Sequence, residues 1–391
     1  MRILFITPEL PNRLHRIRAL TLLRGLARRH EIDLVSLAHQ PPPPATVAEL
    51  QLLCRRVDWV LQPRWRSLVS ATRGLLSAAP LEACYERSPG LARLVTRRLA
   101  ERSYDLVYVK RLRMAQYAPI GLPRVLDLTD SMARFYDLGW RRAPWPAKAL
   151  FLEEWLKHRA YEPRQAARFA RCLVASPVDA AYLRRAFGLD NVVVVPNAVD
   201  TEYFCPRSAA EPAGAETFVL SGLMDKLVNV DAAQYACSTI WPRVRQRLPT
   251  ARLRLVGPKP SRAVRALDGR DEVRVVGFVP DVRDEIASAT AVLVPLRVGT
   301  GTKNKVLQAL AMARPVVTTS VGNEGLDAVH GEHLLVADEA EDFADGVVAL
   351  SQAPARRRAL GEAGRAWVTE RYGVDSVTAR LERVLEQVAA G

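Results

Sequence analysis

The stretch "RILFITPELPNRLHRIRALTLLRGLARRHEIDLVSLA" (residues 2–38) holds two apolar runs with leucines at helical spacing between them. The runs "RILFIT" and "EIDLVSLA" predict buried strands, and the segment between them predicts a helix. A strand, a helix and a second strand in this order predict a right-handed βαβ unit with parallel strands. The stretch therefore indicates an α/β fold.

The same alternation continues through both halves of the chain. In the first half the further runs are "YDLVYVK", "PRVLDLT", "RCLVAS" and "NVVVVPN". The segment "RSAAEPAGAET" (207–217) has no periodicity and predicts a linker. The alternation then restarts with "FVLSG", "ARLRLVG", "VRVVGFV", "AVLVPL", "PVVTT" and "HLLVA". We therefore expect two doubly wound domains facing a cleft, with a ligand at the carboxyl ends of the strands. The C-terminal "SVTARLERVLEQVAA" predicts an amphipathic helix that packs on either domain.

Composition and charge limit the classes of protein. The 391 residues suit two domains, and 49% hydrophobic residues predict a globular protein. Residues 1–200 carry 32 Lys and Arg against 18 Asp and Glu, so the whole net charge of +14 lies in the first half. Such a surface suits an anionic membrane or an anionic acceptor, while a solvated basic surface is the equally weighted alternative.

Signals for export and metal binding are missing from the pattern. The N-terminus lacks the features of a signal peptide, and no segment has the roughly 20 apolar residues needed to span a bilayer. The five cysteines and six histidines are scattered, without the spacing of metal ligands or redox pairs. These features predict a cytoplasmic protein without a metal or cofactor. The absence of GxGxxG after the first strand and of GxxxxGK[ST] argues against a dehydrogenase and a P-loop NTPase.

The stretch "VVVVPNAVDTEYFCP" (192–206) resembles the interdomain signature of family 4 glycosyltransferases, with Ala198 in place of the usual glycine. "LVGPKP", "VRVVGFVPDV", "AVLVPLRVGTGTKNKVLQALAMARPVVTTSVGNEGL" and "GEHLLVADEAEDFADGVVAL" follow in the family's order. The resemblance implies the GT-B fold, with two Rossmann-like domains. Residues 1–205, joined by a returning helix at about 374–391, would bind the acceptor. Residues 206–373 would bind a nucleotide sugar.

A narrower resemblance is to a branch of the family associated with exopolysaccharide assembly. It rests on "RRHEIDLVSL", "RMAQYAP", "RVLDLTDSMARFY" and "SGLMDKLVNVDAAQYA". This branch implies a sugar transferred to a lipid-linked or polysaccharide acceptor. The basic first domain would then dock on the inner membrane surface, and no nucleic acid partner is expected.

A diphosphate leaving group needs cationic side chains and backbone donors when no metal is present. In "GTGTKNKVLQALAMA", Gly299 and Gly301 would let the backbone approach the phosphates. The following helix, beginning near Lys303, would point its N–H groups at them. An ordinary βα turn is the alternative interpretation of this loop. The candidate donor residues of the segment are Gly299, Gly301, Thr302, Lys303, Lys305 and Gln308.

Further donor residues come from the family resemblance. Lys226, after Gly222 in "SGLMDKLVNVD", matches the region that holds cations on the phosphates, although Leu223 occupies the usual position of an arginine. Surface exposure is its alternative. Gly277, Phe278 and Val279 in "GFVPD" lie where the family reads the base with backbone groups, and a plain turn is their alternative. The resemblance leaves a UDP or GDP type of donor open.

Two acids of the family are replaced in this sequence. The family has two glutamates with seven residues between them, one near the donor sugar and one on the ribose hydroxyls. Here Thr300 and Gln308 occupy these positions. A glutamine oxygen accepts a ribose hydroxyl with roughly half the strength of a charged acceptor. Donor affinity, donor choice and activity are therefore the properties that these replacements affect.

The acceptor side carries fewer signals. Where the family often has a histidine after the strand "RVLDLT", this chain has Asp127, Asp130 and Ser131. Asp130 is a candidate to orient the acceptor hydroxyl, and a helix N-cap is its alternative. Arg16 and Arg18 in "HRIR" lie where the family's first loop meets the donor phosphates.

These patterns predict a retaining, metal-independent glycosyltransferase in which Asp130, Lys226 and Thr300 are the catalytic candidates. Two alternatives remain open. One is a catalytically impaired GT-B protein that acts as a nucleotide-sugar-binding scaffold, and the other is a nucleotide-sugar epimerase.

Overall fold

The computed structural model describes residues 1–12, 17–142, 145–207, 216–299 and 303–391. The chain forms two compact units. Unit 1 consists of residues 1–198 and 377–391, and unit 2 consists of residues 199–376. Most of the predicted linker falls on residues 208–215, which lie outside the described residues.

Unit 1 contains a seven-stranded parallel sheet in the order β3-β2-β1-β4-β5-β6-β7. Its strands are β1 (Arg2–Thr7), β2 (Glu31–Ala38), β3 (Arg56–Leu61), β4 (Leu106–Lys110), β5 (Arg124–Thr129), β6 (Arg171–Val174) and β7 (Val192–Val194). The central strands β1, β4 and β5 are almost fully buried, because helices cover both faces of the sheet.

The helices of unit 1 connect these strands. They are α1 (Ile17–Leu26), α2 (Pro44–Leu53), α3 (Arg64–Gly74), α4 (Leu81–Tyr85), α5 (Pro89–Glu101), α6 (Met132–Arg142), α7 (Ala147–Ala166) and α8 (Pro177–Phe187), with a 3-10 turn at Leu112–Tyr117. Helices α6 and α7 both lie between β5 and β6 and pack against each other.

Unit 2 contains a six-stranded parallel sheet in the order β10-β9-β8-β11-β12-β13. Its strands are β8 (Thr217–Ser221), β9 (Arg252–Val256), β10 (Val273–Gly277), β11 (Ala291–Val294), β12 (Val316–Thr318) and β13 (Leu335–Val336). Its helices are α9 (Leu227–Tyr235), α10 (Trp241–Arg247), α11 (Arg262–Arg265), α12 (Val282–Ala287), α13 (Asn304–Ala311), α14 (Ser320–Asn323), α15 (Ala340–Gln352) and α16 (Pro354–Tyr372), with a π-helical segment at Ala236–Ile240. Two separate apolar clusters pack on this sheet, as expected for a doubly wound unit.

The last helix, α17 (Val374–Ala390), is amphipathic as predicted, and its apolar residues from Val377 onward are buried. Glu382 of this helix accepts a hydrogen bond from Arg29 of unit 1 at 3.1 Å. Gly25 of α1 permits close packing, since a Cβ there would lie 2.0 Å from the Thr378 hydroxyl oxygen. The end of the chain is therefore integrated into unit 1.

The predicted fold class is confirmed, because both halves are parallel α/β sheets and every predicted strand is present. One strand, β3, was not predicted. Its sequence "RVDWVL" alternates polar and apolar residues, and it lies at the edge of the sheet with a half-exposed pattern. Because one face of an edge strand meets solvent, β3 lacks the continuous apolar run from which the buried strands were predicted.

Candidate functional site

Three neighbouring strands of unit 2 end in glycines with positive φ angles. Gly222 (φ 156°) follows β8, Gly257 (φ 146°) follows β9 and Gly277 (φ 76°) ends β10. Their backbones are hydrogen-bonded across the sheet, with Gly257 donating to the Gly277 carbonyl at 2.7 Å. The carboxyl edge of this sheet is therefore lined by backbone groups without side chains.

The chain comes too close to itself at this edge for a larger residue. A Cβ on Gly257 would lie 1.7 Å from the Gly222 carbonyl oxygen, and a Cβ on Gly222 would lie 2.7 Å from Asn229 Nδ2. Positive φ adds strain for any residue with a side chain. Glycine is thus required at both positions, and the bare backbone leaves room for a ligand outside the strand ends.

A cationic cluster lies beside these glycines. Lys305 of α13 donates to the Oδ1 atom of Asn229 at 2.6 Å. The Nδ2 atom of the same amide donates to the Leu223 carbonyl at 2.9 Å, which fixes its orientation. Burial and the nearby charge of Lys303 lower the pKa of Lys305 to about 8. Two lysines therefore lie close together at the start of α13, where an anion would relieve their repulsion.

The loop before α13 brings a glycine to the same cluster. Gly299 has φ 142°, and a Cβ on it would lie 3.7 Å from the Nζ atom of Lys303. Lys303 is buried to 7% exposure although it carries a charge. The predicted donor residues Thr300, Gly301 and Thr302 lie outside the described residues, so their roles stay predictions.

Gln308 lies one turn further along α13. It is partly exposed, and its side chain makes no hydrogen bond to the part of the chain that the structure describes. Its carbonyl accepts from the amide of Met312 at 3.3 Å, which is an ordinary helical bond. Its amide group is therefore available to a ligand hydroxyl.

The other predicted donor residues of unit 2 are at the same edge. Lys226 immediately precedes α9, and its side chain is exposed. Phe278 follows Gly277 and is 65% exposed, whereas Val279 packs partly against the core of the unit. An exposed aromatic ring beside a glycine with positive φ is a surface on which a base could stack.

The corresponding edge of unit 1 holds a buried charge network around Asp127. This carboxylate, at the end of β5, accepts hydrogen bonds from Lys110 (2.7 Å), Tyr108 (2.6 Å) and Arg18 (3.1 Å). Burial alone would raise its pKa, but Arg18 and Lys110 outweigh that effect and hold the pKa below its ordinary value. The charge of Asp127 is therefore paired with two cations of unit 1.

Arg18 was predicted to meet donor phosphates, and that contact stays a prediction. Its guanidinium also donates to the Pro196 carbonyl (2.7 Å) and to Asn197 Oδ1 (3.1 Å) in the interdomain signature. Its Nη2 atom is buried and has no partner among the described residues. Arg16 lies outside the described residues.

Asp130 is not a helix N-cap, so that alternative was wrong. The hydroxyl of Ser131 accepts from the amide of Arg134 at 3.2 Å and caps α6 instead. Asp130 forms an ion pair with Arg111 at 3.5 Å. Arg111 has φ 75°, a strained conformation for a residue with a side chain, directly after β4. The role of Asp130 on the acceptor side stays a prediction, with Arg111 as its ion-pair partner.

A carboxylate on α7 supports the start of α6. Glu162 is fully buried and accepts from the amide of Ala133 at 2.8 Å and from the hydroxyl of Ser131 at 3.2 Å. Burial raises its pKa to about 7. This residue positions the segment that carries Asp130.

Sequence reasoning missed three polar residues that organise these edges: Asn229, Lys110 and Glu162. A single asparagine or glutamate within a helix carries no motif, and only the fold shows what it touches. A weak signal was available for Lys110, because a lysine that directly ends an apolar strand is placed at the carboxyl edge. Within the described residues, no group of three or more His, Cys, Asp or Glu side chains is placed to hold a metal ion. No helix in that part of the chain combines the length and hydropathy needed to cross a membrane.

Two family models match the chain. Residues 16–203 match the model described as Glycosyltransferase Family 4, and residues 215–353 match the model described as Glycosyl transferases group 1. No curated protein matches the sequence. The first model covers strands β2 to β7 of unit 1, and the second covers all six strands of the sheet in unit 2.

Solved structures share the whole fold at low sequence identity. The Anabaena protein HepE in complex with UDP is 14% identical with a TM-score of 0.72, covering 99% of this chain and 100% of that chain. Sucrose-phosphate synthase from Thermosynechococcus elongatus is 17% identical with a TM-score of 0.72, covering 100% of this chain and 99% of that chain. A further HepE structure contains UDP-glucose, with 15% identity, a TM-score of 0.69 and coverage of 99% and 100%.

Two parallel α/β units, each matching a glycosyltransferase model, define a glycosyltransferase of the GT-B type. The likeness to glycosyltransferase family 4 rests on the match over residues 16–203.

Proposed function

We propose that this protein is a retaining, metal-independent glycosyltransferase that moves a sugar from a UDP or GDP type of donor to a lipid-linked or polysaccharide acceptor. The observation that carries the proposal is the Lys305 and Lys303 cluster beside Gly299 at the start of α13. Lys305 makes no ion pair with an acid among the described residues, and it is buried enough to lower its pKa. A diphosphate supplies the missing negative charge.

The arrangement serves the chemistry of the leaving group. As the bond between the anomeric carbon and the diphosphate oxygen breaks, negative charge grows on the phosphate. Lys305, held by Asn229, and the N–H groups at the start of α13 stabilise that charge. With retention of configuration, the leaving phosphate oxygen accepts the proton of the attacking hydroxyl, so that no protein base is needed. Asp130 then orients the acceptor.

The backbone of the Gly277 loop and the exposed Phe278 suit the base of the donor. Gln308 offers its amide oxygen to a ribose hydroxyl. The solved structures of HepE with UDP and with UDP-glucose support this class of donor, because they share the fold over nearly the whole chain.

The acceptor side of the proposal rests on charge. The excess of Lys and Arg lies in the first 200 residues, where it would hold unit 1 on the anionic cytoplasmic surface of the inner membrane. A lipid-linked acceptor in exopolysaccharide assembly is presented at such a surface.

The test is a panel of UDP and GDP sugars incubated with the purified protein in the presence of EDTA. Donor hydrolysis or transfer should be detected, and the product should keep the anomeric configuration of the donor. Loss of turnover on EDTA treatment would overturn the metal-independent mechanism. Absence of nucleotide binding by calorimetry would overturn the function as a whole.

A catalytically impaired scaffold is the second candidate, and the replacement of both motif acids by Thr300 and Gln308 favours it. Such a protein would bind UDP or GDP sugars without turnover on any acceptor. Turnover by the natural protein excludes this candidate. Restoration of turnover only in a Gln308→Glu variant would support it.

A further inference from the structure

Helix α3 of unit 1 has an inverted distribution of side chains. Its buried residues are Ser67 and Gly74, which are small and lie seven residues apart on one face. Trp65 and Leu68 are 61% and 57% exposed, and Leu76 just beyond the helix is 99% exposed. The helix therefore turns its large apolar side chains to solvent, whereas a helix that packs on its own domain buries them.

The inner face is built for close packing of small residues. A Cβ on Gly74 would lie 2.7 Å from the Cβ and Sγ atoms of Cys84 in α4. The hydroxyl of Ser67 accepts a hydrogen bond from Gln62 at 2.9 Å. These contacts fix the orientation of α3, so its apolar side cannot turn inward. The outer side needs an apolar medium that unit 1 does not provide.

Arginines flank the exposed apolar side chains. Residues 59–81 contain Arg64, Arg66 and Arg73 and no acid. All three are exposed, and none forms a salt bridge within the part of the chain that is described. The guanidinium of Arg66 lies 5.2 Å from the ring centroid of Trp65. Arginines above an apolar layer with a tryptophan between them form the pattern of a helix lying in a bilayer interface.

A second helix extends this surface. Lys157 of α7 donates to the carbonyls of Gly74 and Leu75, both at 3.3 Å. The adjacent Leu156 is 54% exposed. The end of α3 is thus joined to a helix that also exposes apolar side chains.

We propose that the α3 face, defined by Arg64, Trp65, Arg66, Leu68, Arg73 and Leu76, binds the surface of an anionic phospholipid bilayer. Trp65, Leu68 and Leu76 enter the boundary between headgroups and acyl chains, while the arginines contact lipid phosphates. The inference rests on the membrane location proposed above and names the surface responsible. It commits to lipid because the apolar and cationic side chains alternate along one helix, as charge complementarity to a headgroup layer requires.

The test uses the full-length protein in sedimentation with phosphatidylcholine vesicles, with and without phosphatidylglycerol. We expect binding only to the anionic vesicles, and weaker binding at high salt. A variant with Arg64→Ser, Arg66→Ser and Arg73→Ser should lose about a hundredfold in vesicle affinity, given the attraction of each charge to an anionic surface. A Trp65→Ser and Leu76→Ser variant should lose about tenfold or more.

The matched control is Leu52→Ser with Ile120→Ser, two equally exposed apolar residues of unit 1 that lie outside α3. Its vesicle affinity should equal that of the natural protein. Equal losses in the control and the α3 variants would overturn the proposal, as would vesicle binding unaffected by the α3 substitutions. A wild-type dimer in light scattering that the α3 substitutions dissolve would also overturn it, by assigning the face to a second copy of the chain.

UDP calorimetry separates this proposal from the proposed function. The α3 variants should bind UDP as the natural protein does, which also shows that they are folded. Failure of the natural protein to bind either UDP or GDP, with vesicle binding retained, would overturn the proposed function and leave the membrane surface in place.

Discussion

The carboxyl edges of the two sheets differ in how their cations are paired. In unit 1 the carboxylate of Asp127 accepts hydrogen bonds from both Lys110 and Arg18. In unit 2 the edge consists of glycines and of Lys303 and Lys305, and Lys305 makes no ion pair with an acid among the described residues. This difference favours unit 2 as the unit that binds the anionic ligand, because Lys305 has no acidic partner in the part of the chain that the structure describes.

The largest effect on stability should come from removing the carboxylate of Asp127 in unit 1. An Asp127→Ala variant leaves Lys110 and Arg18 buried without their carboxylate. We expect a loss of about 3–5 kcal/mol in the free energy of unfolding, since an unpaired buried charge is costly. Urea denaturation followed by circular dichroism measures it.

The control for this prediction is Glu31→Ala. Glu31 pairs with Arg102, and its side chain is 63% exposed. The expected loss is below about 1 kcal/mol, as for other exposed ion pairs. Similar losses in the two variants would show that pairing of the buried Lys110 and Arg18 by Asp127 does not contribute to stability.

In unit 2, removal of one cation should impair ligand binding. Lys305→Met should weaken UDP affinity by about 10–100-fold, the range for a lost hydrogen bond to a charged group. Lys226→Met should cost less, about threefold, because that side chain is exposed and more readily replaced by water. Calorimetry with UDP gives both values.

Arg356→Met, on the exposed surface of α16, is the control for charge alone and should leave UDP affinity unchanged. If Lys305→Met bound UDP as tightly as the natural protein, the anion would lie elsewhere. The difference in charge pairing between the two sheet edges would then not explain where the nucleotide binds.

The positive charge of Lys305 in unit 2 should also depend on pH. The pKa of Lys305 is lowered to about 8 by burial and by Lys303, so its ammonium loses a proton as the pH rises through that value. UDP affinity should therefore fall by about tenfold between pH 7 and pH 9. The fall should disappear in Lys305→Met, and a fall of the same size in that variant would assign the titration to another group.

Much of the architecture could be predicted from the sequence, because buried parallel strands are continuous apolar runs bounded by turns. Strand β3 could not, since an edge strand such as "RVDWVL" alternates and resembles part of a helix or loop. The glycines and lysines of unit 2 could be found because a motif surrounds them. Asn229 could not, because an asparagine gains its role only when folding places it against Lys305, 76 residues away. The Asp127 network joins residues as far apart as Arg18 and Tyr108, which no local pattern connects.

A second buried acid of unit 1, Glu162, differs from Asp127 because Lys110 and Arg18 do not contact it. Burial raises its pKa from 4.5 to about 7, so the folded state binds more protons than the unfolded state between these values. Stability should fall as the pH rises through this window. Glu162→Gln keeps an acceptor oxygen for Ala133 and removes the charge, so we expect a gain on the order of 1 kcal/mol at pH 8 and no gain at pH 4.

Thermal unfolding at the two pH values measures this gain. Glu153→Gln on the same helix is the control, because its side chain is 39% exposed and should show no such difference. A gain of equal size at both pH values would mean that the charge of Glu162 is not the cause.

The smallest expected effect tests whether Gln308 meets the ribose. Gln308→Glu replaces a neutral acceptor with a charged one, which should tighten UDP binding by a few fold. The same carboxylate would lie three residues from Lys305 on α13, where an ion pair would cancel part of the positive charge that binds the diphosphate. The two effects have opposite signs and can be separated by 2′,3′-dideoxyuridine diphosphate, which lacks the ribose hydroxyls.

We expect Gln308→Glu to bind UDP more tightly and the dideoxy analogue no better than the natural protein does. Equal gains for both nucleotides would exclude the ribose as the partner of residue 308, and a loss for both would show that the excess positive charge of this edge matters more than its contact with the sugar.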